Sequence, residues 1–138
     1  MSTKPFKNFS HVSLCVTDLE KSRQFYCDAL GLEELDRPDF GFPGAWFRLA
    51  GEFQLHLTVE PETVPPSERR RRFTPKDPHF ALWTDNADET VRTLGKGGLG
   101  FDELPQSPTG LRQLFVKDPD GNMIEFIGPS PSLSRRTE

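Results

Sequence analysis

The chain is poor in several residue types that usually carry a functional reading. Its 138 residues include three histidines, two cysteines, two tryptophans, two methionines and one tyrosine. Two cysteines cannot build a disulfide scaffold, and Cys15 and Cys27 fit no metal or redox spacing. Both read as reduced, buried, inert thiols. No apolar run approaches the roughly 20 residues that span a bilayer. A positive balance is missing too: 17 Lys and Arg stand against 21 Asp and Glu, a formal net charge of −4. That removes the electrostatic case for nucleic acid. The one basic run, Arg69 to Arg72, sits in a Pro-flanked stretch and reads as a solvated linker. The start, Met1-Ser2-Thr3-Lys4-Pro5, is polar and lacks the apolar core of a secretion signal, so the expectation is a cytoplasmic protein without a membrane partner.

What the chain has in quantity is phenylalanine, at 12 residues, which suits a compact core and an apolar ligand cavity. It also has an internal repeat. His11-Val12-Ser13-Leu14-Cys15-Val16-Thr17-Asp18 and His79-Phe80-Ala81-Leu82-Trp83-Thr84-Asp85 both open with His, alternate as a strand and enter a helix at Thr-Asp; the offset is 79 − 11 = 68. Thr17 with Glu20 forms a capping box for the first helix, and Gly31 ends it. Asp85 or Asn86 caps the second, which Gly97 and Gly98 end. Further strands follow near 33–37, 44–50 and 52–59, and again near 99–104, 111–117 and 122–128. Asp118-Pro119-Asp120-Gly121 turns the last pair into a hairpin. The unit is strand–helix–three strands, twice: a first module over 8–60, a Pro- and Arg-rich linker over 61–78, a second module over 79–128 and a frayed polar tail over 129–138. Each half alone is too short to bury much apolar surface, so the two must pack together or pair between chains.

Strand parity then sorts the side chains. His11 lies opposite the apolar Val12, Leu14 and Val16. His56, with Gln54, lies opposite Leu55 and Leu57. His79 lies opposite Phe80 and Leu82, and Glu125 opposite Ile124 and Phe126. The spacings agree, 56 − 11 = 45 and 125 − 79 = 46. A lone histidine is more often a hydrogen-bonded structural group than a ligand. All three histidines at matched, same-facing positions, with a carboxylate at the fourth, point instead to a metal site. Imidazoles and a carboxylate suit Zn, Ni, Fe, Co or Mn. Such an ion would polarise a carbonyl or stabilise an enediolate, with Glu125 as general base.

The segment from His11 to Asp18 with Phe25-Tyr26 and Leu30-Gly31-Leu32, together with Phe115-Val116-Lys117-Asp118-Pro119-Asp120-Gly121-Asn122-Met123-Ile124-Glu125, resembles the vicinal oxygen chelate superfamily, nearest to glyoxalase-I-like proteins. The likeness runs over roughly 8–128. It implies an α+β fold of paired βαβββ modules, a cup-shaped mixed sheet with helices on its outer face, a divalent metal, a small-molecule substrate such as a thiol hemithioacetal, and often a homodimer. By position it makes His11, His56, His79 and Glu125 the ligands and Glu125 the proton-shuttling carboxylate. Gln54 and Trp83 are weaker candidates to touch substrate. One departure stands out, because glyoxalase I carries Glu where this chain has His56.

Two other readings fit the same residues. An extradiol-type non-haem iron dioxygenase would use His11, His79 and Glu125 as its facial triad, with His56 as an acid–base neighbour. A metal-free drug- or metabolite-binding resistance protein would need an aromatic cleft, from among Trp46, Phe47, Trp83 and Phe115; parity turns Trp46 and Phe47 opposite ways. A phosphonate clamp from Arg48 or Arg112 is weaker still, since surface salt bridges account for both.

Overall fold

A computed structural model describes residues 5–6, 8–62, 73–104 and 107–132. The Arg69–Arg72 run, most of the linker and the end of the tail lie outside the described residues. The order is β1 (His11–Val16), α1 (Leu19–Arg23) running into a π-helical stretch (Gln24–Ala29), β2 (Glu33–Leu35), β3 (Gly44–Ala50) and β4 (Phe53–Val59). The second half repeats it with β5 (His79–Trp83), α2 (Ala87–Lys96), β6 (Asp102–Glu103), β7 (Arg112–Lys117) and β8 (Met123–Gly128). Each half forms a four-stranded mixed sheet, ordered β1-β4-β3-β2 and β5-β8-β7-β6. In each, the first strand lies parallel to the last and the other pairs are antiparallel. This is the α+β architecture of paired βαβββ modules.

Local chemistry starts and stops the helices, with one difference from the sequence reading. The first cap is Asp18, whose carboxylate accepts the Lys21 N–H at 3.1 Å, and not Thr17. Thr17 is engaged elsewhere: its hydroxyl donates to Asp120 Oδ1 at 2.6 Å, across 103 residues of sequence. In the second half Asn86 is the cap, accepting from Glu89 N–H. Gly31 and Gly98 take positive φ beyond the two helices, at 79° and 72°, a conformation that costs a residue with a Cβ about 1–2 kcal/mol.

The helical faces of the two sheets share one core. Val16, Phe25, Tyr26, Phe47, Leu55 and Leu57 of the first half cluster with Leu94, Val116 and Ile124 of the second. The π-helical widening follows α1 at Phe25 and Tyr26, two neighbouring aromatics that are both buried. Tyr26 donates its hydroxyl to Asp118 Oδ2 at 2.7 Å, across the halves. Asp118 Oδ1 also accepts the N–H groups of Asp120 and Asn122. Burial pushes the Asp118 carboxyl up from the usual range although these donors pull it down, and burial beside Asp118 pushes the Tyr26 hydroxyl up. Asn122 donates its side-chain amide to Cys15 O at 3.1 Å. The β7–β8 turn is therefore also the clasp between the halves.

Two further expectations are corrected. Residues 129–132, read as the start of a frayed tail, are tied to α2: Ala87 N–H donates to Pro129 O, and Ser132 N–H to Asp88 Oδ2. Ser130 is buried there. Neither thiol is fully buried: Cys15 is exposed and Cys27 half-buried, both free. Parity explains Cys15, which shares the face of His11 and Ser13. No helix among the described residues is long and apolar enough to cross a membrane.

Candidate metal centre

Because the helical faces meet each other, the opposite faces turn outward, and those faces carry the histidines. In β1 the exposed residues are His11, Ser13 and Cys15; in β5 they are His79, Ala81 and Trp83. The structure brings the four candidate ligands together as two pairs, His11 with His56 and His79 with Glu125. Among the described residues no cluster of three or more His, Cys, Asp or Glu forms within the chain.

In the second half, His79 Nδ1 donates to Asp77 O at 2.7 Å, and Nε2 lies 3.0 Å from Glu125 Oε1. Both ring nitrogens therefore face acceptors. Two acceptors around one imidazole require a second proton, or a cation between ring and carboxylate. Two ligands bound at about 2.1 Å and about 90° apart would themselves be about 3.0 Å from each other. The pair fits a metal ion on these grounds, and Asp77 O is the outer partner that fixes the tautomer. Glu125 is only 5% exposed. Its second oxygen accepts the Gln113 side-chain amide at 3.0 Å. Phe115 meets the His79 ring edge-on at 5.4 Å.

In the first half, the His11 and His56 rings stack at 3.9 Å and 17°, and Trp46 stacks on the other face of His56 at 4.1 Å and 5°. His11 Nδ1 shares a hydrogen bond with Ser10 Oγ at 2.9 Å, leaving Nε2 for a ligand. His56 Nε2 is bonded instead to Gln54 Oε1 at 2.8 Å. It would have to exchange that bond to hold a metal. Burial first, then His11 and Arg37, hold the His56 imidazolium below its usual range, so the ring favours its neutral form.

The weaker candidates divide. Gln54 touches His56 directly. Trp83 shares the His79 face, is 78% exposed and borders the helical-side cavity. Of the other aromatics, Phe47 is buried in the core, away from any cleft on the histidine side. Arg48 is paired with Glu33 at the surface, whereas Arg112 is half-buried with its partners Glu103 and Asp88, and not in the surface salt bridge expected of it. The sequence reading did not single out Gln113 or the Trp46 stack. Gln113 shares a face with Phe115, which pairs Glu125 in register, so it lies diagonal to Glu125; the register is what parity could not supply. A cavity of about 770 Å³ also lies on the helical side, lined by residues such as Tyr26, Leu49, Phe53, Leu82 and Phe126. It does not reach the His11 or His79 rings.

The family model of the Glyoxalase/Bleomycin resistance protein/Dioxygenase superfamily matches residues 8–126. Glyoxylase I 4 of Arabidopsis thaliana is 31% identical over 86% of this chain and 69% of its own length. A lactoylglutathione lyase of Pseudomonas putida is 28% identical, over 89% of this chain and 86% of its own length. Among solved structures, a glyoxalase/dioxygenase from Nostoc punctiforme superposes with a TM-score of 0.74 at 28% identity, covering 94% of this chain and 95% of that one.

Proposed function

The chain belongs to the Glyoxalase/Bleomycin resistance protein/Dioxygenase superfamily, and from that premise we propose that it is a metal-dependent lyase or isomerase of the glyoxalase type. Its substrate class is a small carbonyl-derived compound such as a thiol hemithioacetal. The observation that carries this reading is the His79–Glu125 pair, 3.0 Å apart with an acceptor on each side of the ring. His11, His56, His79 and Glu125 hold a divalent ion of the Zn, Ni, Fe, Co or Mn class. When bound, that ion supplies Lewis acidity to the substrate carbonyl.

The rest is done by the chain's own groups. Glu125, buried and held at Oε2 by Gln113, acts as the base once its Oε1 is released from ligation: Oε1 takes the proton from the carbon beside the carbonyl and returns it to the former carbonyl carbon. The Trp46–His56–His11 stack fixes the planes of the two imidazoles relative to each other.

Two half-sites on outward faces call for a second copy. Among the described residues, β1 and β5 are each paired on one side only. An edge strand with unpaired N–H and C=O groups is a template for another chain. We infer a homodimer in which β1 of one protomer approaches β5 of its partner, closing the cup and joining His11 and His56 to the other copy's second half-site.

The test is metal analysis of purified protein with Glu125→Gln and His56→Ala alongside. Wild type should hold about one ion per chain and isomerise a hemithioacetal under nitrogen, and Glu125→Gln should lose about 10²-fold or more in kcat. Absence of stoichiometric metal, or unchanged metal and activity in both variants, would sink the reading. A second reading, an extradiol-type dioxygenase, is favoured by the His56–Gln54 bond, which leaves His11, His79 and Glu125 as a facial triad. Oxygen consumption on a catechol with bound iron would select it.

A further inference from the structure

The described residues include five arginines, and four of them have a carboxylate partner: Arg23 with Glu34, Arg48 with Glu33, Arg92 with Glu89 and Arg112 with Glu103. Arg37 is the fifth. It stands in the β2–β3 loop and has no ion pair among the described residues. Its guanidinium carbon lies 5.0 Å from the Phe40 ring centre and 5.1 Å from that of Phe42. One Nη1–H donates to Phe42 O at 3.1 Å. Its Nε is buried and has no acceptor. A Cβ on Gly44 would meet Leu57 O at 2.4 Å and the guanidinium at 2.9 Å, so glycine there leaves room for the neighbouring strand and for Arg37.

A cation without an ion pair among the described residues, with a buried donor lacking an acceptor, is costly to keep in that state. What the guanidinium leaves without an acceptor among the described residues is its Nε–Nη2 edge, packed against Gly44, the edge that a carboxylate grips with two parallel hydrogen bonds. This edge adjoins the histidine face. Phe40 lies 5.9 Å from Trp46, and Trp46 stacks on His56. Phe40 and Phe42 are 52% and 48% exposed, large apolar rings left beside a cation.

We propose that Arg37 is the specificity-determining residue of the site and that the substrate carries a carboxylate on an apolar or aromatic body. The carboxylate takes the Nε–Nη2 edge of Arg37, the body lies along Phe40 and Trp46, and the reacting carbonyl reaches the histidines. The Phe40 and Phe42 rings, both exposed, turn aside to admit it. This rests on the proposed reaction for the meaning of "substrate", but the binding itself needs neither metal nor turnover.

The test uses metal-free protein carrying Trp83→Phe, so that Trp46 is the only tryptophan and its fluorescence reports the site. Matched acids and their neutral amides, starting with phenylacetate and phenylacetamide, are titrated in. The acids should bind about tenfold or more tightly than the amides. Arg37→Gln should bring acid affinity down to that of the amide, Arg37→Lys should restore part of it, and Arg48→Gln should change nothing. Equal affinity for acid and amide in every pair, or an acid preference that survives Arg37→Gln in protein with an unchanged circular dichroism spectrum, would overturn the assignment. A protein without metal or isomerase activity that still shows the Arg37-dependent preference would overturn the reaction and leave Arg37 standing.

Discussion

At the scale of single residues, the chemistry turns on what surrounds each ring nitrogen and each carboxylate oxygen. His79 is caught between a peptide carbonyl and a carboxylate, whereas His56 is already satisfied by Gln54. Removing Asp77 O is not possible by mutation, but Gln113 is accessible. Gln113→Leu should leave Glu125 Oε2 without its donor and lower kcat more than it raises KM, measured by steady-state isomerisation; an equal change in both would contradict a role in orienting the base. Asp88 offers a separate check on the docked tail. Hydrogen bonds from Ser130 first, then Ser132 and Arg112, hold its carboxyl down to about 2. A depressed carboxylate contributes stability above its unfolded value and loses it as pH falls through its folded value. The Tm gap between wild type and Asp88→Asn should therefore be full above about pH 4 and close towards about pH 2; a gap independent of pH would contradict it. The four ligand candidates were legible because parity and a matched offset act on short strands. Arg37 was not, since its unpaired state depends on which arginines find carboxylates in three dimensions.

At the scale of elements, the β7–β8 turn has two functions, and only one was readable. Asp118 to Gly121 announces a hairpin through local turn chemistry, and Gly121 takes φ 85° there. Its grip on Tyr26 and Thr17 spans 92 and 103 residues, beyond the reach of any local pattern. The same long-range bond displaced Thr17 from the cap position, which Asp18 took over. Tyr26→Phe should cost about 1–3 kcal/mol in denaturant unfolding, because buried Asp118 loses a donor while the ring's packing is kept. No change in the midpoint would show that the bond is not part of the clasp. Gly128 is a second pressure point. A Cβ there would meet Thr84 O at 2.0 Å. Gly128→Ala should lower stability by about 1–3 kcal/mol through overpacking at the β5–α2 turn. The π-helical stretch after α1 had no sequence signal; its register follows from burying adjacent Phe25 and Tyr26.

At the scale of the whole molecule, the halves pack helix side to helix side and so present both half-sites outward. The fold was readable because repeats, alternation and turn residues are local. How the two halves face each other was not, because one apolar face looks like another in sequence. In the proposed dimer that arrangement makes the assembly part of the chemistry: each chain would bring two incomplete pairs, and two copies would complete two sites. The most direct test mixes two inactive variants, His11→Ala/His56→Ala and His79→Ala/Glu125→Ala, co-refolded in equal amounts. If sites join one protomer's first half to its partner's second, half of the dimers are mixed and each regains one intact site, so metal content and activity should recover to about one quarter of wild type. No recovery in mixtures shown to contain the mixed dimer would place each site within one chain and contradict the account.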